Sequence, residues 1–237
     1  MRKAGRVVRQ ILDLLHEVVK PGISTKDLDR IAEEKLKELG AKSAFKGYHG
    51  YPAVLCASVN EEVVHGIPSA KRILKEGDIV SVDFGAFVEG YCGDSATTIP
   101  VGKVSDEAAR LLKVTEQSLY AAIDVVKPGA HLGDVGYAVQ KVVEDAGFSV
   151  VRDFVGHGIG SAMHEDPQVP NFGQPGRGLK LKAGMVIAIE PMVNVGGYDV
   201  TVLEDGWTAV ASDKSLSAHF EHTVAVTADG ARILTEL

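Results

Sequence analysis

The chain has 237 residues, and its 25 basic side chains against 32 acidic ones give a formal charge of −7 with histidine counted as neutral. That balance argues against a protein that binds nucleic acid mainly through phosphate contacts. A composition of 45% hydrophobic and 24% charged residues is typical of a globular protein with a sizeable core. The sequence has no apolar run near the roughly 20 residues of a membrane span, and it does not start with a signal peptide. We therefore expect a cytoplasmic protein without a membrane partner.

The two cysteines, Cys56 and Cys92, are too few for a disulfide framework and do not have the spacing of paired metal ligands. This usage suits a reducing compartment. Cys56 stands among apolar neighbours, so from its local sequence we interpret it first as a small buried residue.

An offset of 107 residues relates two parts of the sequence. The pentapeptide VVKPG occurs at 18–22 and again at 125–129, and the same offset carries residues 74–77 (LKEG) onto 181–184 (LKAG). Proline and glycine after a helix are common, so one match could be coincidence, but a constant offset favours duplication. We predict a single domain over 1–237, built from two related halves of about 1–105 and 106–237.

Each half is predicted to begin with two helices. Apolar residues recur at helical spacing over 2–19 and 106–126, and each run stops at Pro-Gly. The second helix of the first half can be capped by Ser24 or Thr25 and continues to about residue 39, before Gly40. Its counterpart runs over about 132–146.

The next elements are strands that carry acids at equivalent positions. The β-branched runs at 78–84 and 185–190 contain Asp83 and Glu190, which the offset of 107 superimposes. Side chains alternate along a strand, so Asp83 faces away from its apolar neighbours at 80, 82 and 84. We predict an α+β fold in which helices cover the apolar face of each half and the acidic faces share a cleft.

A further acid-bearing strand follows in each half, at 93–99 with Asp94 and at 219–226 with Glu221. If these are hairpins, all four carboxylates approach one another, and neither lysine nor arginine lies among them. A single strand-end acid would simply face water, but a symmetric set would repel strongly unless cations compensate it. Divalent metal is the natural cation.

A histidine for the same site is predicted at His157, between Gly156 and Gly158, where small residues allow close backbone approach. One imidazole with four carboxylates suits Mn, Fe(II) or Co(II) at least as well as Zn. Two ions bridged by carboxylates could hold a water between them, lower its pKa and polarise a carbonyl, as in two-metal hydrolases.

Five motifs together identify a family resemblance. They are NEEVVHGIP at 60–68, GHGIG at 156–160, MHEDP at 163–167, IEPM at 189–192 and FEHT at 220–223. Over nearly the whole chain, the sequence resembles the compact type I methionine aminopeptidases. Met1 falls where the first helix of that family begins, so we expect a compact member without the lead-in segment of most relatives, the amino-terminal zinc-binding extension of some type I enzymes or the helical insertion of type II. The resemblance implies the pita-bread fold, in which two pseudo-symmetric halves form a cleft of antiparallel sheet with helices on the outer face.

The resemblance also implies the roles of individual residues. Two divalent ions (Co, Mn, Fe(II) or Zn) would be held by Asp83, Asp94, His157, Glu190 and Glu221, with Asp94 and Glu221 bridging them. Glu190 would also handle the proton of the metal-bridging water that attacks the scissile carbonyl. His65 and His164 would contact the substrate's amide nitrogen and carbonyl. The methionine pocket would comprise Phe45, Tyr48, Tyr51, Cys56, His65, Met163, His164 and Trp207.

The activity implied by the resemblance is removal of the initiator methionine from nascent proteins and peptides whose second residue is small. The resemblance also implies contact with the ribosome near its exit tunnel. Two other functions remain open at this point. One is a pita-bread peptidase that cleaves before proline, although such enzymes usually carry an amino-terminal domain. The other is a binding protein that has lost catalysis, although unpaired buried acids without metal would be costly.

Overall fold

The computed structural model describes residues 1–236, and each predicted half begins with a pair of helices. They are α1 (Arg2–Val18), α2 (Thr25–Glu38), α3 (Asp106–Asp124) and α4 (Leu132–Asp145). The four predicted helices are therefore confirmed to within about two residues at their ends. Among residues 1–236, the structure contains no helix that is both long and apolar enough to cross a membrane.

Short strands surround two long ones. The strands of the first half are β1 (Lys42–Ser43), β2 (Cys56–Val59), β3 (Glu62–Val64) and the two long strands β4 (Ile79–Val88) and β5 (Tyr91–Pro100). The second half contributes β6 (Ser149–Val150), β7 (Gly156–Gly158), β8 (Glu165–Val169), β9 (Val186–Ile189), β10 (Met192–Asn194), β11 (Val200–Val202), β12 (Ala209–Ala211), β13 (Ser217–His219), β14 (His222–Thr227) and β15 (Gly230–Ile233). The predicted α+β class is confirmed.

The second helix of each half starts with a similar local structure. Ser24 caps α2 by accepting a hydrogen bond from the Asp27 N–H, while the Asp27 carboxylate accepts one from the Ser24 N–H. In α4 the Asp134 carboxylate accepts from the His131 N–H at 2.7 Å. Ser24 and His131 also each form an isolated antiparallel bridge, to residues 73 and 180. These contacts recur at the offset of 107 and support the predicted division into two halves, which stays a prediction.

The long antiparallel pair β4 and β5 sets the positions of the first two acids. In its register, Asp83 lies opposite Ala96, and Asp94 lies opposite Gly85. Strand β2 pairs along the other edge of β4 and puts Cys56 opposite Asp83. On the reverse face, the apolar side chains of β4 pack in one buried cluster with those of α1 and α2. The predicted alternation is confirmed. Strand β5 extends beyond both of its predicted ends, whereas β4 starts one residue later than predicted and continues to Val88.

The predicted strand 219–226 is wrong as a single element. Strand β13 ends at His219 and pairs with β10, whereas β14 begins at His222 and pairs with β9 in another sheet. Glu221 lies in the break, and its N–H donates to the Ala96 carbonyl of β5 at 2.9 Å. The chain leaves one sheet for another here, so both Glu221 and Glu190, one residue past β9, stand at strand ends.

Direct hydrogen bonds join the two halves beside the acids. The Thr223 hydroxyl donates to the Asp94 carbonyl at 2.7 Å and accepts from the Asp94 N–H at 3.1 Å. The Ser95 hydroxyl donates to the Glu221 carbonyl. Because these bonds connect the backbones that carry Asp94 and Glu221, the junction between the halves fixes the geometry of the cleft.

Candidate metal centre and substrate cavity

The five predicted metal ligands line one cavity at the junction of the two halves. Asp94, His157 and Glu221 each offer a ligand atom, and these atoms all lie within 4.8 Å of one another. His157 Nε2 is 3.6 Å from Glu190 Oε1. Asp83 lines the same cavity from β4. The structure therefore brings together residues that are separated by up to 138 positions (83 to 221) in the sequence.

Burial makes negative charge unfavourable at this cluster. It raises the pKa of Asp94 to about 7 and holds the pKa values of Asp83, Glu190 and Glu221 well above their usual range. Repulsion among the acids adds to the effect, with Asp94 the main neighbour of the other three. Within residues 1–236, neither lysine nor arginine lines the cavity. The described side chains that line the cavity thus include no lysine or arginine charge to balance the acids.

Three carboxylate oxygens of the cluster are buried without a hydrogen-bond donor among the described residues: Asp83 Oδ1, Asp94 Oδ1 and Glu221 Oε1. Orphaned polar atoms of this kind are rare and costly in a native structure. Divalent cations would satisfy all three oxygens and lower the repulsion between the acids. The donor set therefore fits a metal centre.

His157 presents a nitrogen that is suited to metal. Its Nδ1 lies 2.9 Å from the Gly158 carbonyl, which can only accept, so Nδ1 carries the proton and Nε2 keeps its lone pair. Burial, helped by His164, lowers the pKa of His157 to about 4, so the ring is neutral at pH 7. Gly158 permits this packing, because a Cβ there would overlap the Asp166 carbonyl oxygen.

His65 and His164 lie beside the acids on the cavity wall. Burial lowers the pKa of His65 to about 4 and lowers that of His164, so both rings favour the neutral form. His164 Nδ1 and Tyr48 Oη share a hydrogen bond of 2.7 Å, and the His164 ring centroid is 4.2 Å from that of His157. His65 has φ of +61°, a left-handed backbone conformation that non-glycine residues seldom adopt.

The apolar part of the cavity is aromatic and contains sulfur. The Tyr51 hydroxyl donates to the Leu55 and Gly66 carbonyls, and the Tyr51 ring meets that of Trp207 edge to face, with centroids 5.1 Å apart. Burial raises the pKa of the Cys56 thiol, so it stays neutral. All the predicted pocket residues line this cavity: Phe45, Tyr48, Tyr51, Cys56, His65, Met163, His164 and Trp207.

Two notable lining residues were not predicted. His219, at the end of β13, places Nε2 3.8 Å from Glu190 Oε2. The ring centroid of Phe154 is 5.4 Å from that of His65, edge to face. His219 stands in an apolar, strand-like run, and Phe154 follows a charged pair in a loop. Neither position shows a periodicity that could separate a cavity residue from an ordinary core residue.

The fold and the buried acid and histidine set define a metallopeptidase. The model of metallopeptidase family M24 matches residues 1–228, so the chain belongs to that family. Its relatives include methionine aminopeptidase 1 of Bacillus subtilis, which is 54% identical over all of this chain and 95% of the relative. The methionine aminopeptidase of Clostridium acetobutylicum is 53% identical over 99% of this chain and 94% of the relative.

Comparison with solved structures supports the same family assignment. The crystal structure of methionine aminopeptidase from Thermotoga maritima superimposes with a TM-score of 0.99 at 51% identity, covering 100% of this chain and 95% of that one. A prolidase from Pyrococcus horikoshii superimposes with a TM-score of 0.80 at 23% identity, covering 100% of this chain and 60% of that one. This second match shows a likeness of fold alone. The resemblance to the methionine aminopeptidases and the predicted pita-bread fold are confirmed.

Proposed function

We propose that this chain is a methionine aminopeptidase that depends on two divalent metal ions. One observation carries the proposal: the apolar, aromatic pocket and the acid cluster belong to the same cavity. A side chain held in the pocket would have its backbone beside the carboxylates. The identity of the relatives over nearly their full length supports the same activity.

The ions would be held by the five clustered ligands: Asp83, Asp94, His157, Glu190 and Glu221. Four carboxylates with one imidazole exceed what one small cation needs, which supports two ions. Asp94 and Glu221 are the residues that could each contact both ions, because they are the two carboxylates, with two oxygens apiece, in the three-residue group that also contains His157. The ligand chemistry suits Co, Mn, Fe(II) or Zn. When bound, such ions lower the pKa of water and polarise a carbonyl.

Glu190 is the proposed proton acceptor. Its side chain is only 14% exposed, and its Oε1 lies 3.6 Å from His157 Nε2, so the carboxylate would stand beside a water held by the ions. A carboxylate within hydrogen-bond reach of a reacting group can accept its proton and return it. Glu190 would thus take the proton of the attacking water and later deliver it to the leaving amine.

His164 and His65 are the proposed hydrogen-bond donors to the substrate. When the Tyr48 hydroxyl donates to His164 Nδ1, the His164 proton resides on Nε2 and can be donated to the scissile carbonyl oxygen. His65 stands on the same wall and would contact the amide nitrogen. Both rings are expected to be neutral at pH 7, so each has one N–H to donate.

The pocket and the acids together favour an exopeptidase specific for methionine. Aromatic rings and sulfur atoms pack well around a flexible thioether, and the acids would attract a free α-amine. The second residue should be small, because His65 and His164 crowd the cavity beside the acids. Nascent chains are the expected substrates. Action in the cytoplasm and contact with the ribosome near its exit tunnel stay predictions.

A peptide series tests the proposal. Purified protein supplied with Mn(II) or Co(II) is given Met-Ala-Ser, its norleucine, lysine and valine analogues, Met-Leu-Ser and acetylated Met-Ala-Ser, and released amino acid is measured by mass spectrometry. We expect cleavage of Met-Ala-Ser and its norleucine analogue only, because an apolar pocket discriminates weakly between side chains of similar size, by about 1 to 3 kcal/mol per methylene. Cleavage of the acetylated peptide, or equal rates for methionine, lysine and valine, would contradict the proposal.

An Ala-Pro dipeptide in the same assay separates the rival activity. A pita-bread peptidase that cleaves before proline would hydrolyse it and leave Met-Ala-Ser intact. A binding protein without catalysis would leave every peptide intact while still retaining metal.

A further inference from the structure

His219 is a buried histidine in the cavity wall without an assigned role. Its side chain is 2% exposed, and its Nε2 has no hydrogen-bond partner among residues 1–236. An unpaired buried imidazole nitrogen is costly unless something in the cavity completes it. The nearest acidic group is the Glu190 carboxylate, whose Oε2 is 3.8 Å away.

The backbone of His219 is held rigidly. The Thr98 hydroxyl accepts from the His219 N–H and donates to the His219 carbonyl, both at 2.9 Å. Ser81 supports that hydroxyl with a further hydrogen bond of 2.9 Å. Thr98 and Ser81 lie opposite each other on β5 and β4, the strands that carry two of the proposed metal ligands. The backbone that carries the imidazole is therefore tied to the two strands that bear these acids.

The Glu190 carboxylate lies between two imidazoles. Oε1 faces His157 Nε2 at 3.6 Å, and Oε2 faces His219 Nε2 at 3.8 Å. The Glu190 backbone is anchored separately, because the Asn171 amide donates to its carbonyl at 2.9 Å. One oxygen thus points toward a proposed metal ligand, and the other points toward a group that is not one.

We propose that His219 is a positioning residue, whose Nε2–H donates to Glu190 Oε2 and so holds Oε1 toward the metal centre. This inference rests on the proposed function for the role of Glu190. Hydrogen bonds at catalytic groups are often long before the site is filled, and we expect this one to shorten on metal binding. Partners behind a ligand commonly change metal affinity or activity by about 10- to 100-fold.

Three variants test the assignment: His219→Gln, His219→Leu and His222→Gln. Glutamine keeps an N–H donor of similar reach, whereas leucine keeps the bulk and loses the donor. His222 is the matched control. It is also buried, but its Nδ1 bonds Thr235 at 2.8 Å and its ring packs against Tyr120, outside the cavity. Thermal unfolding identifies any variant that fails to fold.

The readouts are the visible absorption spectrum of the Co(II)-loaded protein, Co(II) affinity by calorimetry, and kcat and KM for Met-Ala-Ser. For His219→Leu we expect an altered spectrum, Co(II) affinity about tenfold weaker, and kcat about 10- to 100-fold lower with KM changed less than about threefold. His219→Gln should restore kcat and affinity to within about threefold. His222→Gln should leave the spectrum unchanged.

A spectrum and kcat that are unchanged in His219→Leu would overturn the proposal. Equal losses in the glutamine and leucine variants would also overturn it, because the donor would then not matter. The spectrum and the affinity do not require turnover. If the unmodified protein failed to cleave Met-Ala-Ser, the proposed function would fail while the metal readouts still tested the position of His219.

Discussion

Asp94→Asn should stabilise the metal-free protein, although Asp94 is a proposed metal ligand. Burial raises the pKa of this carboxyl from 3.8 to about 7. At 1.36 kcal/mol per pKa unit, its ionised form costs the folded state about 4 kcal/mol. Because the folded pKa is the raised one, this cost begins above the unfolded pKa and is complete above pH 7. The asparagine side chain carries no charge, so the variant avoids this free-energy cost.

The size of the effect should depend on pH. At pH 5.5 the variant should be more stable than the unmodified protein by about 2 kcal/mol, and at pH 8 by about 4 kcal/mol. Urea unfolding followed by circular dichroism in the presence of a chelator measures both differences. Comparing two proteins at each pH cancels the contributions of distant titratable groups. The loss of repulsion on Asp83, Glu190 and Glu221 acts in the same direction as the loss of the Asp94 charge.

Asp134→Asn serves as a control of opposite sign. Hydrogen bonds from the His131 and Gly176 N–H groups hold the pKa of Asp134 below its usual value, so the asparagine variant should be destabilised at pH 8. With Mn(II) at about 100 times its Kd, the unmodified protein should gain about 2.7 kcal/mol, and Asp94→Asn should gain less. The reasoning would be refuted if the metal-free Asp94→Asn variant were less stable than the unmodified protein at pH 8. It would also be refuted if the difference in unfolding free energy between the two proteins did not change with pH.

Three further substitutions probe the site and the scaffold. Glu190→Gln should keep the fold and lower kcat for Met-Ala-Ser by at least about 100-fold, since it removes the proton acceptor; near-normal turnover would argue against that role. Gly85→Ala would place a Cβ 2.8 Å from Phe45 Cε1 and 3.1 Å from Asp94 Oδ1. It should cost about 1 to 3 kcal/mol in urea unfolding and raise KM, and an unchanged KM would show that Phe45 adjusts freely. Ser24→Ala should lower stability in thermal unfolding by about 1 kcal/mol, because the α2 cap is lost. An unchanged melting temperature would show that the cap does not stabilise the helix.

The helices were predictable because their signals are local. Apolar spacing identifies α1 and α3, Pro-Gly ends each run, and Ser24 caps α2 within the same stretch of sequence. The strand pair β4 and β5 was also predictable, because the β-branched run at 78–84 has the length of a strand and the second acid-bearing segment at 93–99 follows closely enough to form a hairpin with it. Each of these inferences needed only neighbouring residues.

The break before β14 could not be predicted from alternation. Residues 219–226 read as one strand, yet the chain changes sheets at Glu221 because β10 and β9 lie in different sheets. The choice of partner strand is a long-range property, which periodicity along one segment does not carry. The same limit explains why His219 was not predicted as a cavity residue. Its neighbour Glu190 is 29 residues away in sequence, and the two side chains meet only because the chain changes sheets here.

Metal stoichiometry measured together with activity tests the central claim most directly. Metal-free protein is titrated with Mn(II) in a calorimeter, and the rate of Met-Ala-Ser cleavage is measured after each addition. Four carboxylates and one imidazole in one cavity predict binding of more than one equivalent per chain, with activity that appears only as metal is added. Full activity with binding confined to a single equivalent would contradict the two-metal centre, and full activity without metal would contradict the account as a whole.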